Sequence, residues 1–464
     1  MVVQTIHLLL GETAMRKNRC LLSFANIVSQ FLTPSVWKKA NQAWRTKHSP
    51  SRWKLHAVVC VLLAMTYALG DSVEERFVTA QATYVAHHLR ERRPGHSLAG
   101  FLHALAELPM PVLRTLSRCL TEQFGELFVD ATRIGGWAPF ACDGTRLACP
   151  RSEELQERLG QYGVAGSPPM VALTTLVLLP LGLPWTWRFG KGTADERQHL
   201  ASMLASLPPR SLLVADSFYA TYDLYQRIKN SGMAFLIRVS KRSLFYTLDS
   251  DQRTTPEQLR RLRDRLVYYW PSNGQKNKKP LIVRLLRVCG KKGSDVWLAT
   301  NITNNDQLSR KTAAQVYRWR WRNEGLFRQY KCLLHKMKLS SRTVALVHRE
   351  AEGGMLALQL LLAHAAKKTE DGKTIVFQIT SARQLLLVIR SSIHTALSFL
   401  GPRQLANYQM LLAIVRGQQR PQRTSSRTRQ KWPRPRQLRP PRPPQVRTMS
   451  EQLKAKRDRI LRAA

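Results

Sequence analysis

Four residues late in the chain restrict most strongly what it can fold into. Tyr317, Arg320, Glu324 and Lys331 stand in the spacing Y-(x)2-R-(x)3-E-(x)6-K. At about 100° per residue, their side chains fall within an arc of roughly 60° on one helix. Val316, Trp319, Leu326, Tyr330, Leu333 and Leu334 gather on a roughly opposed face, the side expected to meet a core. One carboxylate is thereby presented among two cations and a phenol, a set suited to a metal ion beside a phosphate backbone. The plainer alternative is an amphipathic helix with an Arg320–Glu324–Arg328 ladder at i, i+4 spacing.

Two aspartates upstream bear on the choice. A short apolar run, Trp137 to Cys142, ends at Asp143-Gly144-Thr145. Asp-Gly is also a common hairpin turn, so that local reading stays open. Leu212–Ala215 reads as a buried strand that delivers Asp216 to its carboxyl end, where open α/β sheets keep their ligand sites. The helix-like stretch after it leaves a simple N-cap role for Asp216 open.

The helix spacing, Asp143-Gly144-Thr145, and Asp216 followed by Phe218-Tyr219 together resemble the signature of bacterial insertion-sequence transposases of the DDE class, in the insertion sequence 4 family. The resemblance spans roughly residues 85 to 400, and the four-residue helix signature is its most specific part. It implies an α/β fold: a ribonuclease H-like catalytic domain with an inserted β-rich subdomain, flanked by helical N- and C-terminal regions. It also implies cut-and-paste transposition, with cleavage at terminal inverted repeats followed by strand transfer into target DNA. Asp143, Asp216 and Glu324 would be the catalytic residues and would coordinate two Mg²⁺ ions, with Mn²⁺ able to substitute. One ion would activate water and later the freed 3′-hydroxyl, the other would stabilise the leaving oxygen. Tyr317, Arg320 and Lys331 would grip DNA phosphates beside the cut. Trp297 is assigned to DNA on the same ground, since relatives that cut through a hairpin stack a tryptophan of this region on a flipped base. Packing within the strand Asp295–Thr300 is the alternative for Trp297. The resemblance further implies transposon ends and target DNA as partners, a homodimer in the synaptic complex, no membrane, and a bacterial cytoplasmic location at the nucleoid. Two other readings stand beside it: a nuclease on the same fold without strand transfer, and an inactive or domesticated DNA-binding protein.

Composition agrees with a nucleic-acid partner. The 73 Lys and Arg against 30 Asp and Glu give a formal charge of +43, which draws a protein to phosphate without specifying catalysis. A packaging or ribosomal protein would share that balance. Seven scattered cysteines show no C-x2-C pair or His/Cys cluster, so neither a zinc site nor a disulfide framework is expected and a reducing cytoplasm is the default. Met15–Arg19 only faintly imitates the start of a signal peptide. The apolar runs Leu55–Gly70 and Met170–Trp185 fall short of the ~20 residues of a membrane helix.

The expected organisation has four parts. Residues 1–130 form a helical region to which the resemblance gives transposon-end binding, a packing bundle being the alternative. Residues 131–345 form the catalytic domain, with the β insertion at about 231–305. Residues 346–415 are helical. Residues 416–464 form an Arg/Pro-rich polycationic tail, expected to be disordered, with a short basic helix over Glu451–Leu461.

Overall fold

The structure, a computed structural model, describes residues 24–44, 52–163, 166–251, 253–255, 257–258, 262–270, 278–288, 295–371, 374–379, 381–417 and 443–463. Six helices open it: α1 (Phe24–Phe31), α2 (Pro34–Ala43), α3 (Leu55–Tyr67), α4 (Val73–His87), α5 (Leu98–Glu107) and α6 (Met110–Phe124). The α3 sequence LHAVVCVLLAMTY is apolar on nearly every side, so this helix sits inside the bundle. Ser72 and Ser97 accept from the backbone N–H groups of Glu75 and Gly100, capping α4 and α5.

Strands and helices then alternate: β1 (Ala138–Ala148), α7 (Glu153–Leu159), β2 (Met170–Leu178), β3 (Leu183–Lys191), α8 (Glu196–Met203), β4 (Ser211–Ala215), α9 (Tyr222–Asn230) and β5 (Ala234–Arg238). Four more strands follow: β6 (Leu244–Thr247), β7 (Asp264–Tyr269), β8 (Leu281–Val288) and β9 (Val296–Thr300). After them come α10 (Arg310–Trp319), α11 (Trp321–Arg328) and α12 (Val344–Ala365). The hairpin β10 (Ala366–Asp371) and β11 (Thr374–Ile379), α13 (Ala382–Ala396), α14 (Pro402–Gly417), β12 (Gln445–Arg447) and α15 (Glu451–Arg462) complete the described chain.

All strands except the β10–β11 pair join one ten-stranded sheet, in the order β12-β6-β7-β8-β9-β5-β4-β1-β2-β3. β1, β4 and β5 run parallel to one another; β2 and β3 add antiparallel on one side, β9 to β6 on the other. The segment expected as a β insertion is therefore a continuation of the central sheet. Its first expected strand, at 233–239, is itself the third parallel strand, β5, which pairs in parallel with β4 and antiparallel with β9.

Alternation along the strands sorts the side chains between two cores. Leu213, Ala215, Phe235 and Ile237 face the large core that includes α3, α6, α9 and α12. Leu212, Val214, Ala234 and Leu236 face a smaller one closed by Ala313 and Val316 of α10. α12 is buried along almost its whole length from Val347, against the N-terminal helices on one side and β3 on the other. It is a hub of the main core, and the β10–β11 hairpin separates it from the helices α13 and α14 that follow.

The tail expectation falls mainly on residues 418–442, outside the described residues. Beyond them the chain is ordered: β12 pairs in parallel with β6, and Met449 packs with Tyr246 and Trp270. The helix expected over 451–461 is α15, capped by Ser450. Among the described residues no helix is long and apolar enough to cross a membrane.

Candidate active site

The parallel register brings the two aspartates level. Ala141 of β1 pairs with Val214 of β4, so two residues further along Asp143 and Asp216 lie side by side. Both fall on the face shared with Ala141, Leu212 and Val214, which α10 covers. The next step across the sheet is Arg238, since Ala215 pairs with Ile237 on β5. β1 runs straight through Asp143 and Gly144, which pair with Thr175 and Thr174 of β2, so this Asp-Gly is not a hairpin turn. Asp143 is thus inside its strand, two residues past Ala141, where the parallel register with β4 ends. Asp216 does cap the short turn Ser217–Tyr219, accepting from Phe218 N at 2.9 Å, and it is also a neighbour of Asp143.

The helix carrying the other four residues lies across this face. Its regular hydrogen-bond pattern breaks at Arg320, between α10 and α11, and opens into a π-turn at Gln329–Leu333, so the expected single helix is three segments. Val316, Leu326, Tyr330 and Leu334 are buried as the periodicity anticipates, whereas Trp319 is half-buried. Arg320 Nη1 lies 3.4 Å from Asp143 Oδ2, and its Nη2 lies 3.9 Å from Glu324 Oε1. Lys331 Nζ donates to Thr145 Oγ1 at 2.6 Å, two residues beyond Asp143 on the same face of β1. The Arg320 guanidinium stands over the rings of Tyr317 and Trp321, 5.8 and 5.2 Å from their centroids. Tyr317, Arg320, Glu324 and Lys331 are therefore gathered along β1 beside the aspartates.

Burial sets the electrostatics. It pushes the Asp143 carboxyl up to about 6, reinforced by the charges of Asp216 and Glu196 and opposed by the Gly144 N–H and by Arg320. Burial raises the Tyr317 phenol and lowers the Lys331 ammonium. Asn323, in α11, is fully buried, and neither its side-chain nitrogen nor its oxygen has a protein partner; Arg320 Nε is likewise unpartnered.

Three hard carboxylate oxygen donors, one of them penalised by burial and by a neighbouring acid, fit a divalent cation. They are not drawn together here, because the Arg320 guanidinium stands between Asp143 and Glu324. Among the described residues, three ligand-type side chains converge within 4.8 Å only at His56, His88 and Glu91.

Trp297, expected at the DNA, is 4% exposed, lies in β9 opposite Arg287 and packs in the main core. An alternating strand of Val, Leu and Ala around it favoured that outcome. Glu196 was missed. From the first turn of α8 it reaches the opposite face of β1, where it accepts from Arg146 Nη1 at 2.7 Å and from the Tyr219 hydroxyl at 3.2 Å. A Cβ on Gly144 would collide with this carboxyl group, which gives the Asp-Gly pair its physical reason. Local pattern could not find Glu196, since its partners are 50 and 23 positions away.

Residues 139–360 match the family model described as "Transposase DDE domain". Among solved structures, the chain is similar to that of the piggyBac transposase synaptic complex with hairpin DNA, at 11% identity and a TM-score of 0.43, covering 86% of each chain. That likeness is too low to build on. No curated protein matches. The segment that holds Asp143, Asp216 and the Tyr317–Lys331 helix is thus similar to the transposase DDE domain, which supports a DDE-type DNA transposase.

Proposed function

We propose that this chain is a cut-and-paste DNA transposase of the bacterial insertion sequence 4 type, built on a ribonuclease H-like core. The carrying observation is the level placement of Asp143 and Asp216 on adjacent parallel strands, facing the helix that holds Arg320, Glu324 and Lys331. The strand order β3-β2-β1-β4-β5, with only the last three parallel, supports the ribonuclease H-like reading. Asp143, Asp216 and Glu324 would hold two Mg²⁺ ions, with Mn²⁺ as a substitute. Such ions supply Lewis-acid polarisation of the scissile phosphate and a nucleophilic water or 3′-hydroxyl. The remaining chemistry belongs to the chain. Arg320 offers a planar fork to phosphate oxygens, Lys331 a point charge, and the Tyr317 ring a wall that orients the guanidinium. A charge of +43 steers DNA to the protein, and the substrates would be terminal inverted repeats and target DNA. A homodimer in the synaptic complex and a place at the bacterial nucleoid complete this reading.

The test uses purified protein and linear DNA bearing the inverted repeats that flank the gene. Asp143→Ala, Asp216→Ala and Glu324→Ala are each expected to abolish Mg²⁺-dependent cleavage while end binding persists. Substantial cutting by any one variant removes that residue from the site. Wild-type cutting without joined products would favour a nuclease.

A further inference from the structure

A second group of ligand atoms lies in the N-terminal helices, away from the carboxylates of the sheet. His56 is on the first turn of α3, His88 caps the end of α4, and Glu91 follows in the next turn. One ligand atom of each lies within 4.8 Å of the other two. Cys60, one helical turn beyond His56, places its Sγ 3.5 Å from His56 Nε2.

The surroundings are arranged as those of metal-binding histidines are. His88 Nδ1 lies 2.8 Å from the Tyr84 carbonyl oxygen; an N–H there leaves Nε2 with its lone pair. The Tyr84 hydroxyl donates to Glu91 Oε2 at 2.9 Å, so its oxygen can accept from His56 Nδ1 at 3.3 Å, which puts that ring's lone pair on Nε2, beside Cys60 Sγ. Both rings are held in place. Tyr84 stacks on His88 with centroids 4.2 Å apart, and Trp37 meets His56 edge-on at 4.7 Å.

We propose that His56, His88 and Glu91 bind one transition-metal cation of the Zn²⁺ class. Two imidazole nitrogens and a carboxylate oxygen suit Zn²⁺, whereas Mg²⁺ takes oxygen donors almost alone. Bonds of about 2.0 Å at the tetrahedral angle bring ligand atoms to roughly 3.3 Å apart, a short closure from the present spacing. The bound ion ties α3 to the end of α4 and fixes the turn that exposes Arg90, Arg92 and Arg93. This site is independent of the transposase reading.

The experiment uses the full chain carrying Asp143→Asn, Asp216→Asn and Glu324→Gln, so that the carboxylate site does not compete. Calorimetric titration with ZnCl₂ in excess Mg²⁺ is expected to give one Zn²⁺ per chain and a raised melting temperature. Co²⁺ in place of Zn²⁺ is expected to show the visible bands of a four-coordinate site. His88→Gln, and separately the exposed Glu91→Gln, should weaken Zn²⁺ binding at least about tenfold with an unchanged far-ultraviolet spectrum. Absence of stoichiometric Zn²⁺ binding overturns the site, as does unchanged affinity in Glu91→Gln or in a folded His56→Gln/His88→Gln double variant.

Discussion

Arg320 and Asp143, 177 positions apart in the chain, meet with Nη1 3.4 Å from Oδ2. This contact joins the helix signature to the sheet. Arg320 is only 9% exposed, so it is not the solvated i, i+4 partner of Glu324 that spacing alone allowed. Two consequences can be measured, one on DNA and one on the protein by itself.

On DNA, Arg320→Ala and Arg320→Lys should both cut transposon ends on the order of 10²-fold more slowly, because a clamp acts through position as much as charge. Without DNA, Arg320→Ala removes a cation that holds the Asp143 pKa down. Its loss matters only where Asp143 is ionised. The melting temperature of Arg320→Ala should therefore fall below wild type at pH 7.5 and approach it at pH 5. Normal single-turnover cleavage by Arg320→Lys would show that the fork is not used.

Asp143 itself should weaken the metal-free fold at neutral pH. Its pKa rises from 3.8 unfolded to about 6 folded, so the native state binds more protons between those values and stability declines as pH rises through that window. A shift of this size corresponds to roughly 2–3 kcal/mol. Asp143→Asn mimics the neutral form and should melt higher than wild type at pH 7.5, with little difference at pH 4. Equal melting at pH 7.5 would mean that solvent reaches the carboxyl freely.

The contrast between these groups shows what the chain reveals before folding. Asp216, Glu324 and Arg320 could be singled out in the sequence because a strand end and a helical period mark such positions directly. The contact of Arg320 with Asp143 was not anticipated: the family signature only put both beside the cut, and no local rule spans that separation. Glu196 and Arg238 were not legible: one depends on α8 packing across Gly144, the other on the β4–β5 register. Residues 317–331 read as one helix because the break at Arg320 and the π-turn leave no Pro or Gly marker at those points. The extension of the sheet by β6 to β9 was read as a separate insertion because strand patterns carry no information about which edge they join.

Gly144 and Glu196 offer a test of such a hidden pair. Gly144→Ala would drive its methyl into the Glu196 carboxyl, which Arg146 and Tyr219 hold. Overpacking of this kind costs about 1–3 kcal/mol. In the Glu196→Ala background the same change should cost much less, a coupling that a double-mutant cycle of melting free energies reads directly. Additive effects would show that Glu196 swings aside without penalty.

The far end of the chain separates charge from structure. β6 is held by two residue pairs to β7 and by three to β12, and Trp270, fully buried, rests on Tyr246 and Met449. Arg457 adds an ion pair with Asp249 at 2.9 Å. Truncation after Gly417 removes β12, Met449 and Arg457 together, and with them the burial of Val446 and Met449, each worth roughly 1.5–3 kcal/mol. Amide exchange should then accelerate across 244–247 and 268–270, while β1 and β4 keep their protection. Replacing the arginines between 418 and 442 by glutamine leaves those contacts intact. That variant should keep wild-type exchange yet bind all DNA more weakly, with a shallower dependence on salt. If it instead loses affinity for transposon ends alone, the arginines read sequence, and their role is not loose contact with phosphate.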